Sequence, residues 1–452
     1  MNVSYWQKTS KKKSYPSLEQ DISTDVLIIG GGLSGIALAY YLKDTGYSIT
    51  VIDQDELGCH TSGHTTAKIT FLHDVIYQDI VKYYDIHYAN LYYQSNLKAL
   101  NEIKDIIKKE NISCDFEENT SYIYTDDPQY IKTIQKEKEI FQTLKIDYIE
   151  DEQHLSSIGI ENQAIFHPLK YLYALIQICQ KSGVQFYEHS QAKHIIRQHH
   201  QYNVQVNQSH IQCQYLVHAT RYPFIKKGFY FAKLFQKREY INYQDTYQNH
   251  HSYLCIDQIY SYRPVKAHSL LIDPQTSQWF AQDSVPIRGI PYIGRLSKYE
   301  NEFIIYGFQT WGMTLSHVAG QLIADLIQDK DNPYEELYGC HYFSMAHAKK
   351  YIDRIIKNNE KGYLQQRFRT KKITDIKKGE GAIVKKDHHL YAVYCDENGE
   401  YHYFSPYCPH LKCLIHFNKK SQTWDCPCHQ SVYDVYGHCI EGPSLSSLKK
   451  VE

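Results

Sequence analysis

The chain has 452 residues, room for about three domains at roughly 150 residues each. Its 49 basic and 50 acidic side chains nearly cancel, which argues against a polyanionic partner such as nucleic acid. No run reaches the ~18 apolar residues of a membrane span, and the first twenty residues carry charge without an apolar stretch, so a cytoplasmic protein without a membrane span is expected. Eight of the twelve cysteines stand outside one tail constellation with no regular spacing, which suits reduced core thiols better than a secreted disulfide framework. The 43 tyrosines read as compositional bias and are assigned no site.

Residues 1–24 are polar and read as an arm leading into the first strand. The β-branched and apolar run from Asp25 ends at Gly30, and Gly31-Gly32-Leu33-Ser34-Gly35 follows, opening a helical pattern from Ile36 to Leu42. Gly46 stops that helix, and a second apolar run from Ser48 to Ile52 ends in Asp53. This is Gly30-x-Gly32-x-x-Gly35 in the strand-turn-helix setting it needs, with an acid eighteen residues after the last glycine. Such a turn binds a dinucleotide: the helix N-terminus takes the pyrophosphate and the acid takes ribose hydroxyls.

The next segment, Gly58-Cys-His-Thr-Ser-Gly63-His-Thr-Thr-Ala-Lys68, is rich in small and hydroxyl residues. It resembles the FAD-dependent oxidoreductases of the D-amino-acid oxidase and glycine oxidase class. In that class the loop runs along the flavin, which the resemblance implies for Thr65 and Thr66; His64, Lys68 and, further on, Trp311 either face the flavin or serve packing. Residues 74–149 alternate helical stretches such as Asn96 to Lys109 with short strands, and read as an inserted substrate domain. The nucleotide domain returns over 150–220 and closes at His218-Ala219-Thr220, where the family carries an Ala-Thr-Gly-like turn and Arg221 replaces the glycine.

Residues 221–286 are read as the rest of the substrate domain, and 287–335 as the last piece of the nucleotide domain. That piece holds Ile290-Pro-Tyr-Ile-Gly294 and, after an apolar strand, Gly307 through Gly312-Met313-Thr314 entering a helix. Backbone N–H groups at such a helix start can face the flavin's pyrimidine edge, where negative charge accumulates on reduction. Relatives that oxidise amino acids often place an arginine five residues before an aspartate in this run, to grip a carboxylate. Here Asp283 holds the arginine's place and Arg288 the aspartate's. The exchange speaks against an α-amino acid, and leaves Asp283 either to meet a cationic amine or to stand as an exposed loop acid. His317, His199-His200 and His388-His389 have no ligand partners at useful spacing and are expected at the surface or satisfied within the core.

Residues 336–372 are charged and helical in pattern, with Lys349, Lys350, Arg354, Lys357 and Lys361 on one amphipathic segment read as a solvated linker. From Ile373 short strands alternate with Gly379, Gly381 and an Asn398-Gly399 hairpin signal. They lead into Cys408-x-His410, then after fifteen residues Cys426-x-x-His429. Two thiolates and two imidazoles suit zinc, or a 2Fe-2S cluster in which two histidines replace two cysteines on one iron.

Each of these loops carries an additional cysteine, Cys413 and Cys428, and Ser431, Tyr433 and Gly442-Pro443 follow. On these residues the tail resembles the Rieske family. The resemblance implies Cys408 and Cys426 on one iron, His410 and His429 on the other, a Cys413–Cys428 disulfide, hydrogen bonds from Ser431 and Tyr433 to sulfur, and shielding by Gly442-Pro443. Lys412 and Gln430 stand where the family mostly has glycine, a costly exchange if those glycines serve positive φ.

The expected architecture is an α/β FAD-binding Rossmann-like domain with an inserted α+β substrate domain, followed by a small all-β Rieske domain over 373–452. The whole chain resembles bacterial FAD-dependent oxidoreductases with a C-terminal Rieske domain. That implies oxidation of a small amine by FAD, with electrons passing through the cluster to an external acceptor. The alternatives are a redox sensor or electron carrier without an organic substrate, or a reductase running in the opposite direction. An oxygenase would need two histidines and a carboxylate for a mononuclear iron after the cluster; an NAD(P)H-fed reductase would need a second glycine-rich strand-turn-helix unit. Neither is in the sequence.

Overall fold

The run Val26-Leu27-Ile28-Ile29 is buried on both faces, because the strand that contains it, Ile22–Ile29, runs through a sheet covered by helices. The sheet order is Tyr292–Arg295, Glu302–Tyr306, Ser209–His218, Ile22–Ile29, Ile49–Ile52 and Gln185–Tyr187. All neighbours are parallel except the antiparallel edge strand Tyr292–Arg295. An antiparallel ribbon, Ala192–Gln198 with Gln201–Val206, joins on through Ser209–His218. The helices Leu33–Leu42 and Gly312–Ile327 approach closely at Gly320, where a Cβ would lie 2.9 Å from Leu38 N.

This computed structural model describes residues 3–451 except 199–200, 226, 246–248, 259, 273–277, 297–300, 341–348, 350–369, 411, 428–429, 443 and 445. The chain divides into two units, Met1–Arg221 with Lys237–His347, and Tyr222–Gln236 with Ala348–Glu452.

The first unit contains a second sheet of eight strands, ordered Trp279–Pro286, Leu234–Gln244, His268–Ile272, Tyr260–Val265, Ser252–Cys255, Glu117–Thr125, Ser156–Ile165 and Lys68–Ile69. The expected domain pieces need correction here. Residues 156–165 and 68–69, which fall in the nucleotide pieces expected at 150–220 and 25–73, pair in this second sheet. Alternating burial marks a strand but does not say which sheet accepts it. The helical stretch expected at Asn96 to Lys109 is longer, Ile86–Lys109, and starts where the Asp85 carboxylate accepts from Tyr88 N. Residues 1–24 are more than an arm. Tyr5–Thr9 is a helix with a Ser4/Gln7 capping box, and Trp6 is buried with its indole donating to Thr65 O at 2.6 Å.

The second unit is all-β with two small sheets. Glu380–Lys386, His389–Cys395 and Tyr401–Phe404 form one, and the turn at Asn398-Gly399 closes as expected, with Gly399 at φ +91°. His416–Asn418, Thr423–Asp425, Val432–Tyr433 and Cys439–Glu441 form the other. The core between them includes Ile383, Ala392, Phe404, Trp424, Tyr433 and the two cysteines Cys408 and Cys426. Residues 222–236, expected in the substrate sheet, instead belong mostly to this unit. Of the expected linker segment, Lys350, Arg354, Lys357 and Lys361 lie outside the described residues; Lys349 is exposed.

Candidate functional site

In the dinucleotide turn, backbone crowding explains Gly30 and Gly35. A Cβ at Gly30, whose φ is +116°, would lie 2.6 Å from Ala219 O; one at Gly35 would lie 2.0 Å from Gly30 O. Gly32 is the N-cap of Leu33–Leu42 and faces Ser62 Oγ, which accepts from Leu33 N at 2.9 Å. The chain thus leaves a side-chain-free cradle at a helix N-terminus, the form an anionic pyrophosphate fits. Ser34 is buried in the first turn.

Asp53 ends the second strand and accepts from Gly31 N at 2.7 Å and from Asp55 N at 3.0 Å. Burial pushes its carboxyl up. A carboxylate has about four acceptor positions, so two N–H donors leave room for ribose hydroxyls. Ala219 N donates to Ile29 O at 2.8 Å, which sets the Ala219-Thr220 turn beside the glycines.

The loop from Gly58 to Lys68 is held from several sides. Thr61 Oγ1 donates to Gln282 O at 2.8 Å, Thr65 Oγ1 accepts from Ala67 N at 3.0 Å, and the buried Arg263 donates to Thr66 O and Phe166 O. His64 is buried with Nδ1 2.8 Å from His60 O. The Lys68 ammonium is turned to the second sheet, donating to Tyr253 O at 2.9 Å and Ser261 Oγ at 2.7 Å, and burial lowers it to about 7.

The sequence reading of Asp283 as an exposed loop acid does not hold. Asp283 is buried, and its carboxylate accepts from Ser284 N at 2.7 Å and Thr310 N at 2.6 Å. Those bonds hold the Gly307–Gly312 loop, in which Gln309 and Thr310 are left-handed at φ +54° and +76°. A β-branched residue rarely adopts that conformation, and such departures gather at working loops. Arg288 is also turned inward. Its guanidinium donates to the carbonyls of Ile290, Gly339, Tyr338 and Pro291 and stacks over Tyr292. The exchanged pair therefore builds backbone, and neither side chain acts as a carboxylate clamp.

Trp311 is the N-cap of Gly312–Ile327 and stacks on His73 at 4.6 Å. Met313 and Thr314 are buried in the first turn, and Thr314 Oγ1 donates to Thr70 O at 3.1 Å. Gly294 stands apart, with a Cβ position 3.5 Å from Gly339 Cα. His317 is satisfied in the core between Tyr41 and Tyr171, and burial lowers it to about 3. His388 and His389 are exposed, as expected. His199 and His200 lie outside the described residues.

The cysteine loops of the second unit repeat one backbone pattern. Lys412 N donates to Cys408 O at 2.9 Å and Cys408 N to Cys413 O at 2.9 Å; Gln430 N donates to Cys426 O and Cys426 N to Ser431 O, both at 2.8 Å. Lys412 and Gln430 are left-handed at φ +57° and +56°, so the two positions do require the conformation that favours glycine. Their side chains escape collision: Lys412 is exposed and Gln430 half-buried.

Two like-built loops bring two thiols together in the core. The Cys426 thiol, then the Tyr433 hydroxyl, the His410 backbone N–H and the Ser431 hydroxyl hold Cys408 down to about 5 despite its burial. The Tyr433 hydroxyl lies 3.0 Å from Cys408 Sγ. Ser431 Oγ accepts from Ser444 N at 3.0 Å, which leaves its proton for sulfur. A thiol pair met by hydroxyl donors is a donor set for a sulfur-ligated iron site. His410, on the first loop, is half-buried, and Cys413 is disulfide-bonded. Cys428, His429 and Pro443 lie outside the described residues, and Gly442 is half-buried behind Glu441.

The sequence reading missed Tyr222 and Phe231, whose rings meet His410 at 6.0 and 6.4 Å. No local pattern marks them, because the residues they touch are far along the chain.

Residues 25–232 match the family of FAD dependent oxidoreductases, and residues 366–452 match the Rieske [2Fe-2S] domain. The chain is 32% identical to the Bacillus subtilis (strain 168) protein YhfW, named as a Rieske 2Fe-2S iron-sulfur protein, over 99% of this chain and 97% of the relative. It is 24% identical to the gamma-glutamylputrescine oxidoreductase of Escherichia coli (strain K12) over 30% of this chain and 32% of that protein. Among solved structures, the glycine oxidase from Geobacillus kaustophilus superposes with a TM-score of 0.60 at 12% identity, covering 71% of this chain and 99% of that one, a likeness of fold. The chain belongs to the YhfW-type family, FAD-dependent oxidoreductases that carry a C-terminal Rieske 2Fe-2S domain.

Proposed function

We propose that the protein oxidises an amine or amino-acid-like small molecule and passes the electrons through its cluster to an external acceptor. The supporting observation is the presence in one chain of a side-chain-free dinucleotide cradle at Gly30–Gly35 and a hydroxyl-lined thiol pair at Cys408 and Cys426. Bound FAD takes an electron pair from a C–H bond, and a 2Fe-2S cluster moves electrons singly, so together they convert paired into single electron flow.

In this assignment Gly30, Gly32, Ser34 and Gly35 take the pyrophosphate, Asp53 the ribose, and Thr65, Thr66, Ala219 and Thr220 flank the dinucleotide. Gly312, Met313 and Thr314 lie toward the ring system, with His64 and Trp311 beside it, while the Lys68 ammonium, held by Tyr253 O and Ser261 Oγ, and Gly294, set against Gly339, are left out of this assignment. Cys408 and Cys426 hold one iron, and His410 and His429 the other. A Cys413–Cys428 disulfide joins the two loops, and Gly442 and Pro443 shield the cluster.

The inward-turned Arg288 and the backbone-bound Asp283 favour an amine over a carboxylate-gripped substrate. No side-chain base is assigned; the amine binds deprotonated, and the N–H groups of the Gly312 helix start face the edge where negative charge collects. Eight of the twelve cysteines stand outside the tail constellation with no regular spacing, which accords with a reducing, cytoplasmic setting. Among the described residues no helix is long and apolar enough to cross a membrane.

The test is anaerobic addition of a panel of amines to the purified holoprotein, followed by visible and EPR spectra. A substrate should bleach the flavin band and then raise the signal of the reduced cluster. A bleached flavin beside a cluster that stays oxidised would sink the electron route, and no bleaching by any amine would sink the substrate class.

A further inference from the structure

Residues 222–236 follow the strand Ser209–His218 and rejoin the second sheet within Leu234–Gln244, yet they group with the unit that holds the cysteine loops. Within that unit, the Tyr222 ring meets the ring of His410 at 6.0 Å and 86°, and the Phe231 ring meets it at 6.4 Å and 87°. Both are edge-to-face contacts in the range aromatic pairs prefer. The Tyr222 hydroxyl donates to Phe231 O at 2.8 Å, which ties the two contacts into one loop. Gly228 and Phe229, at φ +74° and +53°, turn the chain between them. Tyr222 is 7% exposed, so this is packed structure.

We infer that Tyr222 and Phe231 are positioning residues for the cluster, an aromatic cover over the ligand His410 supplied from the oxidoreductase part of the sequence. The inference rests on the reading that His410 holds iron. A one-electron reduction adds negative charge to the cluster, and water at the histidine edge stabilises that added charge. A cover that withholds water and fixes the ring therefore makes reduction harder, through access and dielectric, without touching sulfur.

The experiment is a dithionite titration of the full-length holoprotein, followed by EPR, for wild type, Tyr222→Ala, Phe231→Ala and Tyr222→Phe. Both alanine variants should titrate at a more positive midpoint potential. In D2O they should also show stronger coupling of exchangeable deuterons to the reduced cluster. Tyr222→Phe keeps the ring and should stay near wild type on both measures. Wild-type potential and coupling in both alanine variants would overturn the inference, as would a Tyr222→Phe shift as large as that of Tyr222→Ala. Should Tyr222→Ala fail to assemble its cluster, Phe231→Ala decides alone. Dithionite replaces the amine, so a missing amine activity leaves the titration readable; a wild-type protein with no Rieske signal overturns the ligand assignment and this inference with it.

Discussion

The dinucleotide turn and the cysteine loops use unusual backbone in different ways. At Gly30 and Gly35 glycine is demanded by contact, since a Cβ would stand 2.6 Å from Ala219 O and 2.0 Å from Gly30 O. At Lys412 and Gln430 the backbone is left-handed, yet neither side chain is fully buried: Lys412 is exposed and Gln430 half-buried. A left-handed residue costs roughly 1–2 kcal/mol, a sum that a folded domain can absorb, whereas overlap of a Cβ with a carbonyl forces the backbone apart. Positive φ is therefore a weaker reason for glycine than close approach.

Gly35→Ala is expected to break this comparison most severely. It should cost on the order of 3 kcal/mol and abolish flavin retention, read from the visible spectrum after purification, while the Rieske EPR signal persists. A variant that keeps its flavin would show that the turn can relax, and the contrast between the two loops would then be lost.

The two units should also separate by pH. Glu137 is buried in the first unit, where it accepts from Tyr77 N and Gln78 N, and burial raises it to about 8. A folded-state value above the unfolded carboxyl means that stability is full below about 4.5 and declines as pH rises toward about 8. Calorimetry of Glu137→Gln should flatten that decline for the first unit and leave the transition of the second unit unmoved. A slope retained in the variant would count against this assignment.

Within the cysteine loops, the hydroxyl at sulfur should outweigh the backbone strain. Tyr433→Phe removes a donor to the Cys408 sulfur and should make the cluster harder to reduce by about 1.5 kcal/mol per electron, measured by the same dithionite titration. Lys412→Gly and Gln430→Gly should each stabilise the second unit by at most about 1 kcal/mol, visible as a small rise in Tm. A drop in Tm would mean that their side chains contribute contacts exceeding the strain.

Much of both sites was legible because their signals are local. The Gly30-x-Gly32-x-x-Gly35 turn, Asp53 after the second strand and the twin cysteine loops are short patterns in which neighbours in sequence are neighbours in space. The Lys412 and Gln430 departures were legible too, as positions where glycine is usual, and both adopt positive φ. What failed was allocation over distance. Asp283 looked like an exposed loop acid until Thr310 N, twenty-seven residues on, arrived at 2.6 Å. The strand Ser156–Ile165 carried no mark of which sheet would take it.

From its sequence alone the chain could be read as an FAD-binding oxidoreductase fold followed by a Rieske domain, because glycine spacing, strand-turn-helix order and cysteine-histidine spacing act within a few residues. Only the tertiary structure decided that Arg288 binds the carbonyl of Tyr338 and Asp283 the N–H of Thr310, that the Tyr5–Thr9 helix packs against the loop at Thr65, and that the rings of Tyr222 and Phe231 meet His410. Those contacts join residues tens to nearly two hundred positions apart, and burial against a distant partner leaves no period or motif in the sequence around either residue.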